Sequence, residues 1–215
     1  LLRGKGTLYD RGTHVPLLIR WPGHVAPHCE SSALVCGTDL GPTILEACGM
    51  NPARGMTGQS FLSELTGKKS ADRRYVFAER GWHFGPITRT DGLDFSRSIT
   101  STRYRYIYNA LPDRSYTPVD MANKDAWKAI QQAHTAGQLS PLHQRLYFEK
   151  PRPMTELYDL KTDPLELCNL AGSTSTRETE DTLRKALEVW MIHESDFLPL
   201  PTHALQTKIK KSTDK

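Results

Sequence analysis

Val15-Pro16-Leu17-Leu18-Ile19, closed by Arg20 and the turn Trp21-Pro22-Gly23, is a short apolar run bounded by turn residues. That is the pattern of a strand buried on both faces, as in a parallel sheet. A polar loop carrying His24, His28 and Cys29 follows. Residues 38–49 then predict a helix: Thr38 or Asp39 can cap it, Pro42 is tolerated in its first turn, and Gly49 supplies the stop. Leu40, Ile44, Leu45 and Cys48 fall along one face of it. Strand, loop and helix in that order are α/β grammar, with the helix covering a sheet whose other strands come from elsewhere.

Further along, the period changes from helical to two. Tyr75-Val76-Phe77-Ala78 reads as a strand, residues 95–100 as a weaker one, and Tyr104, Tyr106 and Tyr108 alternate with Arg103, Arg105 and Ile107. The polar link Ser101-Thr102 predicts an antiparallel hairpin, with the tyrosines on one face and a mixed arginine and isoleucine face behind. Residues 110–155 hold five prolines and read as a long surface excursion with one helical stretch, at 126–133. Glu156-Leu157-Tyr158-Asp159-Leu160 is a strand closed by the turn Lys161-Thr162-Asp163-Pro164, and it can join the hairpin's sheet. A last amphipathic helix is expected over 176–194, with Leu183, Leu187, Trp190 and Met191 as core packing.

Composition bounds the function classes. The 215 residues are 38% hydrophobic and 24% charged, a globular composition at a mean hydropathy of -0.52. The apolar run at 15–19 is far short of the roughly 20 residues a spanning helix needs, so no membrane span is expected. Net charge is +4, of which Lys208, Lys210, Lys211 and Lys215 against Asp214 place +3 at the end of the chain. The body carries only +1 by difference, so nucleic acid is not an expected partner. Cys29, Cys36, Cys48 and Cys168 contain no Cys-x-x-Cys pair, which leaves buried thiols or one or two disulfides. The opening Leu1-Leu2-Arg3-Gly4-Lys5-Gly6 has no secretory leader and is expected to lie inside a longer protein.

Three places could carry chemistry. Lys5 stands between Gly4 and Gly6, where the backbone can bring an ammonium group close to a sulfate or phosphate without Cβ crowding. A Walker loop is excluded, because Gly6 replaces the magnesium-binding hydroxyl. Read alone, this lysine also fits a solvated chain end. Arg80-Gly81-Trp82-His83 leaves a strand end, where Arg80 and His83 can project into a cleft; a surface histidine beside a half-buried tryptophan is the plainer reading. His24, His28 and Cys29 have no fourth ligand in register, so no metal ligand is assigned.

Gly4-Lys5-Gly6-Thr7-Leu8-Tyr9-Asp10-Arg11-Gly12-Thr13-His14, running into the 15–23 strand and turn, resembles the lysine-bearing segment of the formylglycine-dependent sulfatases. Thr38-Asp39-Leu40-Gly41-Pro42-Thr43-Ile44-Leu45 resembles the family's helix after that strand, and Gly58-Gln59-Ser60-Phe61-Leu62 its following turn. Glu156-Leu157-Tyr158-Asp159-Leu160, Asp163-Pro164-Leu165-Glu166 and Asn169-Leu170-Ala171 resemble the signature near the family's C-terminal end, most similar to the heparan N-sulfatase (sulfamidase) branch.

The resemblance implies an alkaline-phosphatase-like sulfatase fold: residues 1–70 as the end of the large α/β domain, and 71–202 as a smaller domain with an antiparallel sheet and a packed helix. Residues 203–215 would be a basic flexible tail. It implies a sulfuric ester or N-sulfate hydrolase acting on a sulfated sugar or glycosaminoglycan, with Lys5 catalytic and His83 and Arg80 facing substrate. Calcium and a formylglycine made from cysteine are the implied cofactors. Neither the family's Cys-x-Pro-Ser-Arg or Cys-x-Ala-x-Arg motif nor its calcium segment occurs in these residues, so both are expected in an N-terminal half outside them. The family's setting implies a periplasmic or secreted protein, alternatively a lysosomal one. Two rivals stand beside this reading: a phosphomonoester or phosphonate hydrolase of the same superfamily, and a noncatalytic carbohydrate-binding or interaction module.

Overall fold

The computed structural model describes residues 3–68, 73–82, 93–116, 118 and 122–201. Two compact units are present: Pro16–Phe77, and Leu1–Val15 together with Ala78–Lys215.

A four-stranded sheet in the order β1-β2-β3-β4 is formed by Val76–Arg80, Ser96–Thr100, Tyr104–Asn109 and Thr155–Asp159, and from Ala78 onward it belongs to the larger unit. The hairpin forms as its alternation predicts, with Thr100 opposite Arg105 and Ser96 opposite Asn109. Its tight end is held by Ser101, whose hydroxyl accepts the Tyr104 N–H at 2.9 Å. The 156–160 strand joins the sheet against β3, with Tyr106 opposite Leu157 and Arg105 opposite Tyr158.

Antiparallel register puts directly opposed residues on one face, so Ile99, Tyr106 and Leu157 form one row across the sheet. All three are fully buried. This face is covered by the terminal helix, Arg177–His193, which buries Leu183, Leu187 and Met191 at helical spacing. Burying a leucine or methionine side chain is worth roughly 1.5–3 kcal/mol, so this three-residue seam is a principal apolar contribution. Arg97, on the same face, locks the end of that helix: its Nε and Nη2 donate to Asp196 at 2.5 and 3.0 Å.

The opposite face carries Ser98, Arg105, Ile107, Asn109, Glu156 and Tyr158. Ile107 and Tyr158 pack there against Leu8, with Tyr9, Ala78 and Leu160 at the margin. The N-terminal segment thus covers one face of the sheet and the last helix the other.

The excursion 110–155 is more ordered than its prolines suggest. It contains the expected helix, Asp125–Thr135, and a second, Pro141–Phe148, which the sequence reading passed over. Its signal was present: Ser140 accepts the His143 N–H at 3.3 Å and Pro141 occupies the first turn. Trp127 and His134 of the first helix both stack on Phe148 of the second, at 5.7 and 3.9 Å between centroids.

In the Pro16–Phe77 unit, residues 15–19 do not form the expected strand. They join no ladder, and Val15 and Leu18 are 69% and 88% exposed. A strand buried on both faces takes its backbone bonds and its burial from neighbouring strands, and the described residues provide none beside it. The following helix does form, as a 3-10 turn Gly37–Asp39 leading into Leu40–Ala47. Its expected apolar face is not buried: Ile44 is 61% exposed, while Pro42 and Thr43 are inside. Asp39 stands at the N-cap position of the helix, as expected, but its side chain makes no cap hydrogen bond to that helix and instead anchors this unit. Its carboxylate accepts the Cys36 and Gln59 N–H groups at 2.7 and 2.8 Å and pairs with Arg73 at 2.5 Å. All four cysteines are free thiols, with Cys29, Cys48 and Cys168 exposed, so buried thiols are not what the structure contains.

Burial pushes the Asp196 carboxyl up, but hydrogen bonds from Arg97 and the Leu198 N–H outweigh it and hold the group below the usual carboxylate range. Arg103 does the same for Asp159. A carboxylate with a lowered folded pKa stabilises the fold above its unfolded value of about 3.9 and loses that contribution as the pH falls below it. The thermal midpoint should therefore drop on acidification below about pH 4. Asp196→Asn should flatten that acid limb and lower the midpoint at neutral pH; an unaltered acid limb would show that the Arg97 pair contributes nothing.

Candidate functional site

Lys5 sits at the crest of a closed loop that runs from Arg3 to Thr13. The loop folds because Gly4, which is buried, accepts both the Thr7 N–H at 3.1 Å and the Thr7 hydroxyl at 2.7 Å. Gly6 has a φ of 81°, a left-handed turn open to glycine at little cost. A single turn of helix, Asp10–Thr13, closes the far side, with Gly12 and Thr13 N–H groups on the Tyr9 carbonyl at 2.8 and 3.1 Å. Gly12 is the keystone: a Cβ there would meet the Thr7 carbonyl at 2.3 Å and the Gly4 carbonyl at 2.6 Å. The Lys5 side chain is exposed on this crest.

Beside the loop lies a groove of about 300 Å³, lined by Gly6–Leu8, Gly12 and Thr13 on one side and by Ala78–Gly81 on the other. That volume is at the lower end of small-molecule sites. The structure therefore places the Lys5 loop and the end of β1, which carries Arg80, at the same groove. The Arg80 guanidinium is largely buried, with Nη1 3.1 Å from Asp94 Oδ2. Arg152 pairs with the same carboxylate. A smaller polar cavity of about 20 Å³ shares Thr7, Leu8 and Arg80 with the groove and is large enough for a single water. His83 lies outside the described residues, as does the 203–215 tail.

Beneath the loop is a set of buried charges and phenols that sequence reasoning did not assemble. Glu156 accepts hydrogen bonds from Tyr9 at 3.0 Å, Tyr158 at 2.5 Å and Asn109 at 2.6 Å. The Arg3 guanidinium carbon lies over the Tyr9 ring, 3.4 Å from its centroid, and its Nη1 donates to the Glu166 carbonyl at 2.7 Å. Glu166 is 2% exposed. It receives Arg105 Nη1 at 2.8 Å on one carboxylate oxygen and the Asp10 N–H at 2.7 Å on the other. Burial raises its pKa, Arg105 and the Asp10 N–H only partly offsetting it. The available signal was the period-two face of β3, which lines up Arg105, Ile107 and Asn109 toward the N-terminal segment.

No three His, Cys, Asp or Glu side chains converge as a metal site among the described residues. His24 instead stacks on Trp21 at 4.2 Å, and the Cys29 thiol turns back to the Ala26 carbonyl at 3.1 Å. With no cysteine in the oxidisable motif, the residues present fit neither calcium nor formylglycine, and no chemical step here is routed through either. No helix of the described residues is long and apolar enough to cross a membrane.

The sheet, its covering helix and the preceding helical segments are those of the sulfatase-type α/β fold. A phosphonate monoester hydrolase from Silicibacter pomeroyi superposes with a TM-score of 0.56 at 21% identity, over 88% of this chain and 31% of that one. A protein solved in complex with its substrate D-glucosamine-2-N,6-O-disulfate gives 0.55 at 17%, over 85% and 29%. The chain belongs to the family described as N-sulphoglucosamine sulphohydrolase, C-terminal, whose model matches residues 3–126. An ulvan-active sulfatase of Formosa agariphila is 30% identical over 97% of this chain, and the human N-sulphoglucosamine sulphohydrolase 27% over 96%. The chain spans 34% and 42% of the length of these two relatives.

Gly12→Ala should open the Lys5 loop, because two backbone carbonyls stand where the methyl would go. Overpacking of this kind costs at least about 1–3 kcal/mol. Limited proteolysis should show faster cleavage within residues 3–14 than in the unsubstituted protein, and equal rates would mean that the loop does not depend on the close approach at Gly12.

Proposed function

We propose that this chain is the C-terminal part of a sulfatase, a hydrolase of sulfuric ester or N-sulfate groups on a sulfated sugar or glycosaminoglycan. The observation that supports the reading is the Lys5 loop: the family match begins within it, and residues of that loop, Gly6–Leu8, Gly12 and Thr13, line one side of a groove on a fold that sulfatases share. In this reading residues 1–70 complete a large α/β domain with a segment outside the chain, and 71–202 form the smaller domain. The exposed apolar residues Val15, Leu17, Leu18 and Ile44 support the need for that segment. Calcium and the formylglycine nucleophile would come from it. A periplasmic or secreted location follows from the family, with the lysosome as the alternative.

Lys5 acts by electrostatics. As the sulfur–oxygen bond breaks, negative charge builds on the leaving oxygen and the sulfuryl group. An ammonium held nearby on a rigid loop stabilises that arrangement more than it stabilises the ground state. In this reading Arg80 faces the substrate through the groove wall it helps to line, and His83, outside the described residues, is the second substrate-facing residue.

In the complete protein, Lys5→Ala should lower turnover of a sulfated substrate on the order of 100-fold or more. Steady-state kinetics with sulfate and phosphate esters side by side are the test. Unchanged kinetics would remove Lys5 from the site, and preference for the phosphate ester would favour the phosphonate or phosphomonoester hydrolase reading, which shares the fold.

A further inference from the structure

We propose that Glu166 is a positioning residue for Lys5, holding both arms of the loop that presents it; this rests on the catalytic reading of Lys5. Glu166 touches the loop on either side of its crest and, unlike Glu156, which reaches the side chains of Arg3 and Tyr9, accepts a backbone N–H of the loop. Its backbone carbonyl takes Arg3 Nη1 at 2.7 Å, two residues before Lys5, and its carboxylate takes the Asp10 N–H at 2.7 Å, five residues after. The second carboxylate oxygen is fixed from the sheet by Arg105 Nη1 at 2.8 Å, and Arg105 Nη2 reaches on to Asp10 Oδ1 at 3.3 Å. The clamp is itself rigid. Glu166 sits at a φ of 55°, its N–H is bonded to the Asp163 carbonyl at 3.0 Å, and Asp163 also accepts the Leu167 and Cys168 N–H groups.

The chemistry of the clamp depends on a carboxylate. Its two oxygens each accept from a donor that faces them, a cation on one side and a backbone N–H on the other. An amide in its place offers one acceptor and turns an NH2 group on the other donor. The Asp10 N–H then loses its partner, the one-turn helix Asp10–Thr13 loosens, and the crest shifts relative to the groove. Electrostatic stabilisation requires the cation at a fixed distance from the developing charge, so a displacement on the order of 1 Å is enough to cost rate.

The experiment uses the complete protein and three variants: Glu166→Gln, Lys5→Ala and the two combined, each assayed with a sulfated monosaccharide and examined by amide hydrogen exchange. Glu166→Gln should lower kcat on the order of 10-fold or more with KM nearly unchanged. It should also speed exchange at Thr7 and Gly12, whose N–H groups close the loop. In the Lys5→Ala background the same change should lower kcat no further, because its effect passes through the lysine. Equal losses in both backgrounds, or unchanged exchange over residues 4–13, would overturn the positioning role while leaving Lys5 in place. A silent Lys5→Ala beside a loosened loop would sink the catalytic reading instead. If Glu166→Gln does not fold, Arg3→Lys, which keeps the charge but gives up the planar fork, decides by the same readouts.

Discussion

A carboxylate at 2% exposure, held between Arg105 and the backbone N–H of Asp10, is the contact on which the geometry of the larger unit turns. Taking such a group out of water costs several kcal/mol, and the cost is met only when a cation and further donors face both oxygens. Around Glu166 such donors face both oxygens and offset part of that cost, burial still raising its pKa. The arginine comes from β3, the N–H from the N-terminal loop, and the carboxylate from the turn after β4. Three stretches far apart in sequence thus meet in one place.

This explains why the two faces of the sheet differ in kind. On the Tyr106 face a 17-residue helix lies across the strands, and a helix covers a sheet best with an apolar stripe, so Leu183, Leu187 and Met191 meet Ile99, Tyr106 and Leu157. On the other face the cover is a short loop, with few side chains to bury and many backbone groups to satisfy. Glu166 accepts the loop's Asp10 N–H, Arg105 donates to the Asp10 carboxylate, Glu156 accepts from Tyr9, and the loop's own Arg3 donates to the Glu166 carbonyl, while the phenols of Tyr9 and Tyr158 join apolar bulk to polar ends. A loop fixed by directional bonds holds its backbone more narrowly than one packed by apolar contact alone, which suits the electrostatic role proposed for Lys5.

The Pro16–Phe77 unit follows a similar principle with a poorer result. Asp39 draws Cys36, Gln59 and Arg73 together, and Thr43 links Asp39 to Phe61 through its hydroxyl, donating to one at 2.6 Å and accepting from the other at 3.1 Å. The polar side of the helix is therefore well anchored. The apolar side, with Leu40 and Ile44, is left exposed together with Leu17 and Leu18. Polar anchors of this type close locally, whereas an apolar face needs a second layer to cover it.

Local pattern determined a good deal. The alternation of Tyr104 to Tyr108 gave the hairpin and its two faces, the apolar spacing of Leu183, Leu187 and Met191 gave the terminal helix and its buried side, and the glycines around Lys5 marked a loop fit to carry a cation. Each rests on a period or a dihedral that neighbouring residues set among themselves. Sequence also foresaw a helix after residue 38, but not which side of it would be inside. It gave residues 15–19 a strand's composition, though a ladder is made by neighbours and not by the strand that needs them. Tertiary structure alone decided that Arg3, Tyr9, Asp10, Arg105, Glu156 and Glu166 meet, since partners up to 163 positions apart leave no mark in any local window. A buried carboxylate looks the same as a solvated one in sequence, and only the folded chain shows which has lost its water.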